Sequence, residues 1–318
     1  MENPLTVAAV QFEMVENDKA ANLATMAGFI AQAAARGADV VAFPEMCTTG
    51  YHFVFAMDAA AIGRIAESTA DGPSVRFLAG KAREHGIHIV AGILERGDDG
   101  ASYNTAVVIG PDGPIFQHRK IHAFENSAIR KGRTLATFQL HGWTCGLLIC
   151  YDNNIPENVR VLALQGAEVI FAPHQTGGFD IPRAGMGRIP LETWRKRHAD
   201  PLPMKYAITG LKGREWLPCR AYDNNLYVVF TNSVGIDGPE VRVGCNMIID
   251  PEGLVVAETS EPGNALIVAQ LTKEKRVNSL PSVHIGSRRP SLYGRITEAV
   301  PEIDTRLLRN SASTEQMH

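Results

Sequence analysis

No apolar run in the 318-residue chain reaches the roughly 18–20 residues that a bilayer-spanning helix requires. A membrane-spanning segment is therefore not expected. An excess of one charge is missing too. The 31 Lys and Arg stand against 34 Asp and Glu, a formal net charge of −3, which gives no electrostatic case for nucleic acid or a membrane surface. The five cysteines are an odd number without a CxxC pair, pointing to a reducing compartment and no disulfide framework. Neither GxGxxG nor GxxxxGK[ST] occurs, so nucleotide binding has no motif behind it. The opening MENPLTVAAVQF is acidic and passes straight into a strand pattern, unlike a signal peptide. A soluble, cytoplasmic protein is the expectation.

What is present is core material, 45% of residues being hydrophobic. VAAVQF (7–12), VVAF (40–43), HIVAGILE (88–95), EVIFAP (168–173), LYVVFTN (226–232) and ALIVAQL (265–271) read as strands. TAVVIGPDGPIFQHRK (105–120) gives two more about a Pro-Asp-Gly turn, and FQLHGWTCGLLIC (138–150) another two. NMIIDPEGLVVAE (246–258) completes the β pattern. Apolar spacing predicts helices over 17–36, ending at Gly37, over 75–85 and over 156–165, with another near Arg214. Helices ahead of buried strands, mixed with hairpins, point to α/β layers.

RGADVVAFPE (36–45) and QGAEVIFAPH (165–174) share a helix stop, an acidic residue, an apolar strand and a proline. This echo predicts one unit used twice, hence a pseudo-symmetric pair of sheets. It places Glu45 and His174 at equivalent strand ends. Residues 174–203, rich in glycine, proline and charge, read as a long loop. The polar tail 310–318 reads as frayed. No linker divides the rest, so one domain is expected over 1–309.

In GLLICYDNNIPE (146–157) an apolar run stops at Cys150, and Pro156-Glu157 open a helix shortly afterwards. A cysteine in an apolar run is, taken alone, core packing. At a strand end before a helix, however, free backbone N–H groups lower a thiol pKa and hold an oxyanion. Cys145, within the run, reads as core, and Cys47, Cys219 and Cys245 offer no local argument. A thiol nucleophile needs a base. His118, His122 and His174 lie near strand ends; Glu45 and Lys120 end strands too, where each has an ordinary alternative as a surface charge. The spacing of His118 and His122 raises a metal site, but no HExxH or cysteine-rich motif accompanies it, and no metal is expected.

FPE (43–45), HRK (118–120) and CYDNNIPE (150–157), in that order, resemble the signature motifs of the nitrilase, or carbon–nitrogen hydrolase, superfamily. PEMCTTGY (44–51) and RKIH (119–122) extend the first two, and RRPSLYGRI (288–296) is similar to the tail of many members. The resemblance implies an α/β fold of four layers, an α-β-β-α sandwich with two mixed β-sheets. It also implies a homodimer or larger assembly and no metal or organic cofactor. Carried over by position, it makes Glu45 the general base, Lys120 the cationic stabiliser and Cys150 the nucleophile, with the Tyr151 N–H completing an oxyanion site. It further implies a second glutamate between lysine and cysteine, where Glu125 is the sole acidic residue between Ile121 and Ile149.

Tyr-Asp after the cysteine, with a later Pro-Glu, looks like the amidase and carbamoylase branches rather than true nitrilases, which usually show Trp-Glu. The resemblance thus implies a small amide or N-carbamoyl substrate, an acyl-thioester intermediate and release of ammonia. Asn153 and Asn154 depart from the arginine or aromatic residue of many relatives, and Ile155 from a common Phe or Trp. With Tyr51, Tyr151 and His174, the two asparagines are the residues expected to line the substrate pocket. Arg183, Arg188, Arg195, Lys196 and Arg197 are candidates for a substrate carboxylate. Asp152 and Glu157 are expected to order the turn and the helix start. The rival from another class is a silent scaffold, which has no need of Glu45, Lys120 and Cys150 together.

Overall fold

The computed structural model describes residues 4–179, 189–197, 199, 213–259 and 262–301. Arg183, Arg188 and the tail 310–318 lie outside them. The first sheet takes β1 (Leu5–Gln11), β2 (Val40–Ala42), β3 (His88–Arg96), β4 (Ser102–Gly110), β5 (Gly113–Arg119), the short β6 (Ile129–Arg130) and the last strand, β16 (Ala265–Leu271). Its order is β16-β1-β2-β3-β4-β5, with β6 beside β4. The second sheet takes β7 (Thr137–Leu140), β8 (Trp143–Leu147), β9 (Val169–His174), β11 (Tyr227–Asn232), β14 (Met247–Ile249) and β15 (Val255–Glu258), in the order β15-β14-β11-β9-β8-β7.

The two sheets repeat one scheme. In the first, β1, β2 and β3 run parallel, flanked by antiparallel β16 on one side and β4 and β5 on the other. In the second, β8, β9 and β11 run parallel, flanked by antiparallel β7 and by β14 and β15. The strands of the sequence echo, β2 and β9, hold the same central post in each.

Of helices α1 (Lys19–Ala35), α2 (Ala59–Ile65), α3 (Pro73–His85) and α4 (Pro156–Leu164), all but α2 follow their signals closely, whereas α2 has no counterpart in the sequence reading. Asp18 caps α1 by accepting from the Ala21 N–H, and Met26, Phe29, Ile30 and Ala33 form its buried stripe. Pro73 opens α3 and Gly86, in the left-handed region at φ +63°, ends it. α1 and α3 pack on the outer face of the first sheet. α4 and α6 (Gly213–Asn224), which follows the short α5 (Leu191–Arg195), cover the outer face of the second.

Between the sheets lies a shared apolar layer, with Val40, Val90 and Val108 on one side and Leu147, Val169, Phe171 and Val229 on the other. Fully burying each such side chain contributes about 1.5–3 kcal/mol. The result is the four-layer α-β-β-α sandwich.

One piece differs from expectation. The stretch read as a loop from 174 onward instead supplies the end of β9, then β10 (Gly177–Phe179) and α5. β10 joins β12 (Val234–Asp237) and β13 (Glu240–Val243) in a third sheet, order β10-β13-β12. Its apolar side, Val234, Val241 and Val243, closes over Ile189 and Trp194. Among the described residues no helix is long and apolar enough to cross a membrane.

Candidate active site

Glu45 follows β2 at the point where Pro44, lacking an N–H, ends the ladder. The next residue, Met46, turns in the left-handed region at φ +47°. This turn lies against β3 so closely that a Cβ on Gly92 would stand 2.1 Å from the Met46 nitrogen. Glu45 is thereby aimed inward and buried. Lys120 follows β5, its backbone tied to the Asn104 carbonyl at 2.8 Å and to the Gly132 N–H at 2.7 Å. Its side chain is fully buried, and such a charge needs partners.

The partners are two carboxylates. Lys120 Nζ donates to Glu45 Oε1 at 2.6 Å and also to Glu125 Oε1. Asn104 Nδ2 donates to the same two oxygens, at 2.7 and 2.9 Å, and the Tyr51 hydroxyl reaches Glu125 at 3.3 Å. Glu45 Oε2 is buried without a hydrogen-bond partner. Burial first, and then the neighbouring Cys150, push the Glu45 carboxyl well above the usual range, against the pull of Lys120. Burial raises Glu125 too, but there Lys120 prevails and its pKa is lowered. Burial likewise opposes the Lys120 charge, yet Glu125 and Glu45 together hold its pKa well above normal.

Cys150 comes from the opposite sheet. After β8 the chain makes a 3-10 turn over Cys150–Asn154, and Cys150 itself sits at φ +48°, a costly conformation for a non-glycine residue. Asp152 fixes this turn. Its carboxylate accepts from the N–H groups of Ile149 at 3.1 Å, Ile121 at 3.3 Å and His122 at 2.8 Å, with His118 Nε2 at 3.2 Å. It therefore ties the turn to the segment just after Lys120. Burial opposes the Asp152 charge, but His118 first, then the His122 N–H and Lys120, lower its pKa on balance. Arg220 holds the far end of the turn, donating to the carbonyls of Asn153 at 3.2 Å and Asn154 at 3.1 Å.

Glu45, Lys120, Glu125 and Tyr51 are brought into one cluster that faces Cys150. Tyr151 is half-buried, its ring against His122 and Phe124. Asn153 is buried and turned inward, donating to the Leu148 carbonyl at 2.8 Å, while Asn154 is exposed. His174 is buried, and burial lowers its pKa to about 3. Cys145 lies in the inter-sheet core, where burial pushes its thiol up, and burial takes Cys47 to about 12. Of the described loop cations, Lys196 pairs with Glu192 at 2.6 Å, and Arg197 stacks on Trp194 and bonds the Pro262 carbonyl. Neither reaches the cluster through these contacts.

Sequence reasoning missed Asn104, Gln175, Thr176 and Arg242. Gln175 Nε2 supports the Glu45 carbonyl at 2.9 Å. Arg242 of the third sheet is buried between Asp237 and Glu240, each at 2.6 Å, donates to the Gln175 carbonyl at 2.5 Å and lies 5.1 Å from the Tyr51 ring centroid. The third sheet thus braces the cluster from behind. None of the four carries a signal in the sequence taken in isolation.

A buried Glu–Lys–Glu cluster thus faces a strained cysteine between two pseudo-equivalent sheets. The carbon–nitrogen hydrolase family profile matches residues 6–277, and the chain belongs to that family. It is 32% identical to a nitrilase of Pyrococcus abyssi, over 91% of this chain and 99% of that protein. To the 2-oxoglutaramate amidase of Bacillus subtilis it is 29% identical, over 80% of this chain and 85% of the relative. The solved structure of a mutant amidase of Nesterenkonia AN1, from the nitrilase superfamily, superposes with a TM-score of 0.69 at 20% identity, covering 93% of this chain and 98% of that one. The likeness to that structure is one of fold.

Proposed function

We propose that the protein hydrolyses the C–N bond of a small linear amide, with Cys150 as nucleophile, Glu45 as general acid–base, Lys120 as oxyanion stabiliser and Glu125 as the group that holds Lys120. The observation that carries this is the division of the Glu45 carboxylate. Oε1 is engaged by Lys120 and Asn104, whereas Oε2 is buried without a partner. A carboxyl with a raised pKa and one open oxygen beside a thiol is equipped to take and return a proton.

The thiol proton passes to Glu45 as sulfur attacks the amide carbon. The carbonyl electrons move onto oxygen, and the Lys120 ammonium and Tyr151 N–H stabilise the oxyanion, worth about 10²–10³-fold per donor. Glu45 then protonates the nitrogen, the C–N bond breaks, and ammonia leaves an acyl-thioester on Cys150. Water attacks this carbonyl while Glu45 takes its proton. The carboxylic acid departs and the thiolate regains the proton. Glu125, its pKa lowered by Lys120, stays ionised and keeps the ammonium aimed.

Among the residues expected to line the pocket, Tyr151 is half-buried next to Cys150, and Tyr51 is buried against Glu125. Asn153 and His174 are buried and bonded to each other, and Asn154 is exposed. The amide reading draws support from Tyr151-Asp152 after the cysteine and from the amidases among the relatives. The test is ammonia release from a panel of amides, N-carbamoyl amino acids and nitriles. The amides should be the best substrates, and Cys150→Ala should lower turnover by at least about 10³-fold with an unchanged melting temperature. Near-normal activity in Cys150→Ala overturns the mechanism; a preference for nitriles overturns the substrate class.

A further inference from the structure

We propose that Thr176 is a positioning residue for the Cys150 thiolate, its hydroxyl proton turned toward sulfur by a fixed tautomer of His174. The chain of contacts runs from Asn153 Nδ2 to His174 Nε2 at 3.1 Å, from His174 Nδ1 to Thr176 Oγ1 at 3.1 Å, and from Thr176 Oγ1 to Cys150 Sγ at 4.0 Å.

Its direction follows from donors and acceptors. Asn153 Nδ2 also faces the carbonyls of Leu148 at 2.8 Å and Cys150 at 3.3 Å. Two acceptors fix that end of the amide as the NH₂ group. With two hydrogens, it gives one to the Leu148 carbonyl and the other to His174 Nε2, the shorter of the two remaining contacts, so Nε2 is the bare nitrogen; a proton there would set donor against donor. A buried neutral imidazole carries its one proton on the other side. Nδ1–H donates to the threonine oxygen, which leaves the hydroxyl proton directed along the remaining contact, toward sulfur. Each link is settled by the one before it.

Thr176 is also held rigidly from its backbone. Its N–H donates to Asn232 Oδ1 at 2.8 Å, and Asn232 Nδ2 donates to its carbonyl at 2.9 Å. Asn232, at the end of β11 beside His174 on β9, is itself fixed by Asn246 Oδ1 at 2.8 Å. The side chain is therefore free to serve Cys150 while the fold holds the main chain. A sulfur–hydroxyl separation of 4.0 Å is at the outer edge of hydrogen-bonding range; on this proposal it shortens when the thiolate forms, because hydrogen bonds to a charged acceptor are the closer ones. Thr176, from the second sheet's side, adds a neutral donor to the charged groups Glu45, Lys120 and Glu125 that face the thiol from the first sheet.

The inference rests on Cys150 being the nucleophile, so its test separates the two. The rate of inactivation by iodoacetamide is measured against pH for the wild type, Thr176→Val, Thr176→Ser and His174→Phe, with the modified cysteine mapped by mass spectrometry. Val keeps the shape of Thr and leaves the backbone bonds to Asn232 in place. In Thr176→Val and His174→Phe the midpoint of the inactivation profile should rise by about one pH unit, with about a tenfold loss of kcat. Thr176→Ser should restore the wild-type profile. If Cys150 is modified but the Val and wild-type profiles coincide, Thr176 plays no such part, whatever happens to kcat. If iodoacetamide spares Cys150 in the active wild type, the nucleophile reading fails first, and this inference with it.

Discussion

Asn104 places one amide nitrogen between two carboxylates that already share a single ammonium. Were both carboxyls ionised around one cation, a buried place would hold an uncompensated negative charge, which is, after burial and Cys150, one of the causes that raise the Glu45 pKa. Asn104 relieves it with neutral donors and adds no charge of its own. Asn104→Leu keeps the volume and removes both bonds. It should lower kcat/KM by about 10–100-fold and stability by about 1–3 kcal/mol, as read by ammonia-release kinetics and urea unfolding. Full activity would show that Lys120 alone arranges the carboxylates. The principal residues of the cluster were legible because motif order singled out Glu45, Lys120 and Cys150. Asn104 was not, because a polar residue at a strand end looks like any other until its neighbours across space are known.

At the scale of elements, the aim of Glu45 depends on how closely its turn lies against β3. Gly92→Ala puts a methyl group into the Met46 backbone, so either the turn or the strand must move. A loss of about 2–4 kcal/mol should accompany a loss of turnover of at least about tenfold. Gly28, inside α1 with nothing within 4 Å of its would-be Cβ, is the matched control. Gly28→Ala should stabilise by about 0.5–1 kcal/mol with unchanged kinetics. Thermal melts and kcat for both variants check the pair. Equal kinetic effects would mean that the close approach to Gly92 does not position Glu45.

Elements with continuous apolar runs, such as β2 and β9, were readable, and their echo gave the paired sheets. The third sheet was not. Arg242, Asp237 and Glu240 look like surface charges in sequence and become buried only because they meet one another.

Over the whole molecule, the buried histidine leaves a mark on acid stability. Burial lowers the His174 pKa from 6.5 to about 3. As pH falls through that window the unfolded chain takes up a proton that the native state refuses. This contribution is therefore complete above 6.5 and lost on acidification. Its slope is at most about 1.4 kcal/mol per pH unit. Glu45 works the other way: with its folded pKa raised, its contribution is complete below the unfolded value and lost as pH rises through the folded one. Comparing the wild type with His174→Phe isolates the histidine. The difference between their urea-unfolding free energies should change by about 1.4 kcal/mol per unit between roughly pH 4 and 6. A difference that is flat with pH would mean His174 is protonated in the native state.

The Glu45–Lys120–Glu125 cluster hangs from one sheet and Cys150 from the other, so the proposed reaction spans the seam between them. Between those sheets lies the layer made by Val90, Val108, Leu147, Phe171 and Val229, and its thickness is expected to set the reach of Glu45 toward Cys150. That greasy filling is the gauge block of the enzyme. Thin or thicken it by a methyl group far from any polar atom, and the tool set at the seam is out of adjustment.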